Sequence, residues 1–334
     1  ASATTGGMNS VVLVTADGRV WAGTAAGLCR REHGRWRTFT AADGLAASDV
    51  RCLWEDRDGT LWIGTTGGVS RFAAGRFTSY THQHGLPDNQ VRAIGRAPDG
   101  PLWVATHGGL GRLDSGGFTS YRVQDGLPYS TLGSLSVAAD GTVWIGSEAG
   151  LSRYVAGRFA NFTTADGLPQ NLVTAVAAGS SGEVWVGTSG GLCRYTGVRF
   201  EPVELGAGVA DGTIGALMEG ADGILWIGTA SGLGRYDGVA CQGLLSRDGL
   251  PGQRVIALSM DVAGQVWIGT SGGGALRYVP GRVPPEVRIV DVLAGRHLGP
   301  VPAIRLSGPQ PLLAFHFQGV SLKTRPGAMV YRYR

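Results

Sequence analysis

Apolar residues recur along the chain in short runs, each closed by glycine, aspartate or serine, and residues 132–162 show the pattern in full. Residues 132–137 alternate weakly between apolar and small residues and predict an innermost strand. Asp140-Gly141 signals a hairpin, because these residue types tolerate the positive φ angles that two-residue turns need. Val143-Trp144-Ile145-Gly146 predicts a second strand. Side chains alternate with period two, so Trp144 and Gly146 share a face. Gly150-Leu151-Ser152-Arg153-Tyr154 predicts a third strand, and Gly157-Arg158 turns into a fourth carrying Phe159 and Phe162. Asp166-Gly167-Leu168-Pro169 then leads into the next copy. One unit is a four-stranded antiparallel meander.

The unit repeats. Trp21 and Trp62 stand 41 residues apart, and Trp103, Trp144, Trp185, Trp226 and Trp267 continue the same interval. Four short strands at a period of about 40–45 residues predict propeller blades. Seven copies predict an all-β, seven-bladed β-propeller over residues 8–282. Blades pack face to face, so the repeated Trp and the Phe or Tyr residues are the expected inter-blade core. A lone blade cannot bury both faces, which makes the ring the stable unit. The glycine two residues after each Trp is expected to leave room for a large ring of the neighbouring blade. Ala105 is the single departure at that position.

These repeats resemble the two-component regulator propeller repeat. Its pattern runs D-G-L-P-x-N-x-V, then D-x-D-G-x-L-W-I-G-T, then G-L-x-R-Y. His84-Gly85-Leu86-Pro87-Asp88-Asn89-Gln90-Val91 matches the first part except for its opening His. Asp56-Arg57-Asp58-Gly59-Thr60-Leu61-Trp62-Ile63-Gly64-Thr65 matches the second, and Gly191-Leu192-Cys193-Arg194-Tyr195 the third. The resemblance implies an extracytoplasmic sensor domain of a histidine kinase, hybrid kinase or related receptor. It implies a periplasmic location, membrane attachment only through a segment outside this chain, and a receptor able to assemble as a homodimer.

The ends depart from the period. Residues 283–334 carry an alternating strand beginning at Pro284-Pro285-Glu286-Val287. Ile304-Arg305-Leu306 and residues 312–320 supply two more, before Tyr331-Arg332-Tyr333-Arg334. This segment resembles the opening of the triple-tyrosine β-sandwich domain that follows such propellers, and implies a partial sandwich. Met8-Asn9-Ser10-Val11 aligns with the end of an inter-blade loop. Blade 7 meets Pro284-Pro285 where its fourth strand would run, and proline is tolerated only in edge strands. Blade 7 is therefore expected to show three clear strands and a short or missing fourth, with residues 1–5 the better source of a partial one.

Composition adds limits rather than a function. The 334 residues include Gly 57 and Pro 15, and the glycines fall in phase with the repeat, so they read as turns. The net charge is +4, Lys323 is the one lysine, and no basic stripe points to nucleic acid. Cys29, Cys52, Cys193 and Cys241 show no metal spacing and read as small core residues. Cys29 and Cys193 share a repeat position four blades apart, so a closed ring keeps them from meeting.

No P-loop, HExxH, GxSxG or dinucleotide fingerprint occurs, and no cofactor or metal site is expected. Arg71, Arg112, Arg153, Arg194, Arg235 and Arg277 recur at one phase of the repeat. An anion-binding crown would fit that phase. An arginine packed along the sheet and bonded to backbone or carboxylate fits it without any ligand. Positions that vary between blades are the better site candidates. In the loops between strands two and three, His107 and Glu148 stand against Ala25, Thr66, Ser189, Ala230 and Ser271. They fall on adjacent blades and can converge above the channel, although two solvated loop tips would look the same.

Near the start of each inner strand stand Asp49, Asn89, Tyr129, Asn171 and Arg254, with Arg51 and Arg92 one residue into the strand. Arg51, Arg92 and Arg254 would make one side of the rim cationic. Arginine with an exposed tyrosine suits a ligand bearing carboxylate or sulfate, such as an acidic sugar. The predicted ligand site is Arg51, Arg92, His107, Tyr129, Glu148 and Arg254. Three functions compete: a sensor binding a small molecule or oligosaccharide without turnover, a propeller lyase using His107 and Glu148, and a protein-interaction scaffold.

Overall fold

The computed structural model describes residues 11–205, 209, 212–220, 222–245, 254–278, 287–294 and 313–319. The chain divides into two units, Ala1–Val279 and Pro280–Arg334. The first holds six four-stranded antiparallel sheets and a seventh with three strands among the described residues. Strands within each sheet follow chain order, so every sheet is a meander. Blade 1, for example, is Val11–Val14, Val20–Thr24, Gly27–Glu32 and Arg35–Phe39. All seven repeated tryptophans occupy the second strand and are buried. Each stands opposite an arginine of the third strand, from Trp21–Arg30 through Trp62–Arg71 and Trp144–Arg153 to Trp267–Arg277. The chain is a seven-bladed β-propeller.

The core lies between blades. Each Trp ring meets the residue four strand positions into the next blade's third strand. Trp103–Tyr154 centroids lie 5.0 Å apart, Trp144–Tyr195 5.3 Å, Trp21–Phe72 5.5 Å and Trp226–Tyr278 6.0 Å. At two junctions that residue is not aromatic: Leu113 packs in the cluster of Trp62, and Arg31 lines the cleft over Trp267 where blade 7 meets blade 1. Losing such a buried ring costs about 3–5 kcal/mol.

The glycine after each Trp serves a different neighbour from the one its position suggests. A Cβ on Gly64 would stand 2.5 Å from Val91 Cγ1, on Gly146 2.6 Å from Val173 Cγ1, and on Gly228 2.5 Å from Val255 Cγ1. The space is taken by a β-branched residue opening the next blade's inner strand, not by an aromatic ring. Blade 3 carries Ala105, and the next inner strand there opens with Leu132 in the same buried cluster. Leucine branches one carbon further out, which leaves room for the extra methyl.

The turns also differ in part. The first hairpin of blade 4 is a three-residue loop: Ala138 N–H donates to Thr142 O at 2.9 Å around Ala139-Asp140-Gly141. Only Gly141 takes a positive φ, +86°. That is a type I turn closed by a left-handed glycine rather than a two-residue turn. The two-residue form occurs between strands three and four, where Val155 pairs with Arg158 around Ala156 and Gly157, at φ +48° and +86°.

Between blades the chain makes one 3-10 turn. Asp43 Oδ2 accepts from Thr40 N–H at 2.8 Å, and Asp166 Oδ2 from Thr163 N–H at 2.8 Å. His84, the departure from the repeat, accepts from Thr81 N–H through Nδ1 at 3.1 Å. The repeated acids are turn chemistry, and Leu45, Leu86, Leu127 and Leu168 after them are buried.

Blade 7 comprises Val255–Met260, Val266–Thr270 and Gly274–Tyr278. Its expected outer strand, and residues 1–5, lie outside the described residues. The ring closes by packing: Val12, Val14 and Val20 of blade 1 share a buried cluster with Trp267 and Ala275. In the second unit, Val287–Ala294 pairs antiparallel with Leu313–Gly319. Residues 304–306, Tyr331 and Tyr333, on which the triple-tyrosine reading rests, lie outside the described residues.

Candidate functional site

The inter-blade loops and the loops between strands two and three share one rim and are tied together. His107 N–H donates to Gln90 O at 3.1 Å, Thr66 N–H to Asp49 O at 3.1 Å, Ser189 N–H to Leu172 O at 3.0 Å and Ser271 N–H to Arg254 O at 2.9 Å. Just inside this rim the pairing of the inner strand slips by one residue in six blades. Partners jump from Val50 to Cys52, Leu132 to Ser134, Val173 to Ala175, Ile214 to Ala216 and Val255 to Ala257. In blade 3 Thr106 pairs with Val91 and Ala105 with Ala93. Each slip is a β-bulge, which leaves one residue unpaired and re-aims its side chain. The bulge residues are Arg51, Arg92, Gly133, Thr174, Gly215 and Ile256. The mouth of the channel is cationic at blades 2 and 3 and carries no charge at the bulges of blades 4 to 7.

Four of the expected site residues come together here. His107 is half-buried, and its Nε2 is shielded from solvent without a hydrogen-bond partner. Burial holds its pKa below the usual imidazole value, with the Arg92 and Arg51 guanidiniums acting the same way and Asp88 and Glu148 opposing. Arg92 is exposed, with no ion pair or hydrogen bond from its side chain among the described residues. Arg51 is half-buried and pairs with Asp49 at 2.5 Å. Glu148 is exposed on the adjacent blade.

The other two stand apart. Tyr129 is 39% exposed in the loop entering blade 4. Arg254 belongs to blade 7 and runs beside Gly215 of blade 6, whose Cβ would lie 3.7 Å from its Nε. No contact joins either to His107. Asn89 and Asn171 are already used: their Oδ1 atoms accept from His82 N–H at 2.7 Å and Thr164 N–H at 2.8 Å. Asp88 and Gly133 escaped the sequence reading, as did the bulge itself. The repeat phase contained their signal, since aligning the copies puts Gly133 under Arg51 and Arg92.

The repeated arginines pack along the sheet. Arg112 lies 5.9 Å over Trp103, Arg153 5.8 Å over Trp144, Arg194 5.9 Å over Trp185 and Arg277 5.6 Å over Trp267. These are cation–π contacts to the residue opposite in the ladder. Arg194 also pairs with Glu201 at 2.9 Å. They serve the ring rather than a crown.

The wider clefts open on the opposite rim. One of about 620 Å³ lies between the turns of blades 3 and 4, above Trp103, Arg112, Tyr121 and Tyr154. Clefts of the same construction lie between blades 4 and 5 and between blades 7 and 1, so they follow from the repeat. Among the described residues no group of three or more His, Cys, Asp or Glu could hold a metal ion. The four thiols are free, and burial pushes those of Cys52 and Cys193 up to about 12 and that of Cys241 to about 11. Such thiols are poor nucleophiles.

Comparison with known proteins places this architecture. The two component regulator propeller family model matches residues 44–67, 85–108, 167–190, 208–231 and 249–272. Four matches begin at the Gly-Leu entry to a blade and the fourth in order at Gly208-Val209, and all end in the loop after the second strand, which is the stretch that builds the rim. No curated protein shows significant sequence similarity to the chain. Among solved structures, the extracellular domain of a hybrid two-component system from B. thetaiotaomicron superposes with a TM-score of 0.74 and 21% identity, over 94% of this chain and 44% of that one. A second such domain from the same organism gives 0.70 and 18%, over 90% and 45%. A catalytically inactive variant of virginiamycin B lyase from Staphylococcus aureus, solved with quinupristin, gives 0.69 and 17%, over 83% and 97%. The chain thus spans less than half the length of the two extracellular domains. Within its seven Trp-centred blades the chain thus carries repeats of the two component regulator propeller type.

Proposed function

We propose that this chain is the ligand-sensing part of a bacterial receptor, held on the periplasmic side of the inner membrane, and that its channel mouth binds a small acidic ligand without turnover. The observation that carries this reading is the exposed, unpartnered Arg92 beside His107, whose Nε2 has no partner. Repeat-invariant residues are accounted for by the ring, and these are the polar groups left over. Likeness to extracellular domains of hybrid two-component systems supports the sensing role. Attachment to the membrane through a segment outside this chain belongs to the same reading, and among the described residues no helix is long and apolar enough to cross a membrane.

The expected ligand is an acidic sugar. A charge-assisted arginine–carboxylate hydrogen bond contributes about 1.5–3 kcal/mol. Two or three of them contribute about 3–9 kcal/mol, and because immobilising the ligand costs about 4 kcal/mol or more, they give weak binding unless ring contacts add to them. The test is calorimetry with galacturonate and with galactose on the wild type and Arg92→Ala. Galacturonate should bind the wild type alone, and galactose neither protein. Equal affinity of both proteins for galacturonate would remove Arg92 from the site.

One observation favours a lyase reading: burial and the Arg92 and Arg51 guanidiniums hold the His107 imidazole below its usual pKa, with the Glu148 carboxylate within electrostatic reach, an arrangement that can supply a base and an acid. Time-dependent loss of a bound ligand, abolished by His107→Ala, would move the protein into that class.

A further inference from the structure

Two of the six bulge positions hold glycine, and the two glycines differ. At Gly215 a Cβ would run into Val255 O, so a side chain is sterically forbidden. At Gly133 the nearest atoms to a Cβ are Val173 O at 3.7 Å and Gly146 O at 3.9 Å, which is ordinary contact. Its φ also lies outside the left-handed region that favours glycine. Neither backbone geometry nor packing asks for glycine at 133. A glycine within a strand still costs about 0.5–1 kcal/mol in conformational entropy. Blades 2 and 3 place an arginine at this point, and blade 5 a threonine whose Oγ1 donates to Ile214 O at 2.5 Å. What Gly133 contributes is the absence of a side chain at the mouth of the channel.

The groups around that gap are polar. Arg92 occupies the preceding bulge, exposed and unpaired. His107 and Glu148 sit on the loops of blades 3 and 4 that flank it. The entering loop of blade 4 is joined to His107, since Thr131 Oγ1 donates to His107 O at 3.5 Å, and two residues before it stands exposed Tyr129. The gap at Gly133 thus opens toward Val173 O of blade 5, with the free cation Arg92 at the bulge of the preceding blade and the exposed carboxylate of Glu148 on a loop of its own blade.

We infer that Gly133 opens a slot for one pyranose ring of a uronic acid. In it the ring's carboxylate pairs with Arg92 and one hydroxyl donates to Glu148. This deepens the acidic-ligand reading and rests on it. A lone anion needs only the arginines, whereas a sugar acid needs the arginine and the empty volume together.

The test compares two probes, galacturonate and inorganic sulfate, by calorimetry on the full chain. Gly133→Leu fills the slot without changing charge, and Gly133→Thr, the residue blade 5 carries at its bulge, covers the case in which leucine prevents folding. The expected result is a loss of galacturonate affinity of at least thirtyfold in either variant, with sulfate affinity within twofold of wild type. Galacturonate binding unchanged in a folded Gly133 variant but lost in Arg92→Ala overturns the slot and leaves the cationic rim standing. Sulfate binding that depends on Arg92, with no galacturonate binding to the wild type, does the same. Galacturonate binding indifferent to both Gly133 and Arg92 overturns the rim reading as well.

Discussion

The backbone N–H of Val14 donates to Ser259 Oγ at 3.0 Å, joining the first and seventh blades across 245 positions of sequence. The same bond recurs inside the ring, where Ala178 N–H donates to Ser136 Oγ at 2.9 Å from blade 5 to blade 4. The closing junction is thus built like an internal one. Ser259→Ala leaves a buried N–H without a partner, which costs about 1–3 kcal/mol. Ser259→Ala and Ser136→Ala should lower thermal stability by similar amounts, and only the former should speed amide exchange at Val14. Unchanged exchange in Ser259→Ala would mean that apolar packing alone closes the ring.

Gly64→Ala tests the inter-blade fit. The new methyl would lie 2.5 Å from Val91 Cγ1 and must displace it or Cys52. Overpacking of this kind costs about 1–3 kcal/mol. Ala105→Gly removes a methyl that Leu132 accommodates and should cost less. Denaturant midpoints of the two variants should fall in that order.

Ala74 and Ala156 sit at φ +49° and +48°, in the left-handed region that costs an L-residue about 1–2 kcal/mol. Glycine there removes the Cβ penalty but loses more backbone entropy on folding. Each Ala→Gly change should stabilise by roughly 0.5–1 kcal/mol, and the two should add because they lie in different turns. A lower midpoint in the double variant would contradict this account of the turns.

His84 Nδ1 holds Thr81 N–H at 3.1 Å, where Asp43 holds Thr40 N–H at 2.8 Å. His84→Asp should therefore keep or raise stability, while His84→Ala should lose about 1 kcal/mol, the usual worth of a cap. Equal melting of the alanine and aspartate variants would show that the cap contributes nothing.

Much of the ring was legible because its code is local and repeated. Trp144, Gly146 and the turn residues declare strand, face and hairpin within a few positions. Gly146 still misled, because its neighbour Val173 lies in the next blade and a strand pattern does not say which side chain fills a vacancy. The site was half legible. His107 and Glu148 stood out by breaking the repeat, and Arg51 and Arg92 by their charge. Gly133 did not stand out, since a missing side chain among 57 glycines carries no signal until a bulge is seen to leave that position unpaired and exposed near the rim. Asn89 looked like a free rim residue, and its use in the turn at His82 is a contact seven residues back that spacing alone does not reveal.

The central claim is that an anionic ligand sits beside His107, and the imidazole itself can report it. Burial and the neighbouring Arg92 keep the free protein's His107 pKa below the ordinary imidazole value. A bound carboxylate or sulfate offsets that field, so the pKa should rise on binding. By linkage, affinity should then strengthen as pH falls through the imidazole range, and His107→Ala should lose that dependence. The measurement is an NMR pH titration of the His107 ring with and without saturating galacturonate. The account predicts a depressed pKa in the free protein that moves upward with ligand. A His107 pKa that stays put while calorimetry records binding would place the ligand elsewhere and contradict the account.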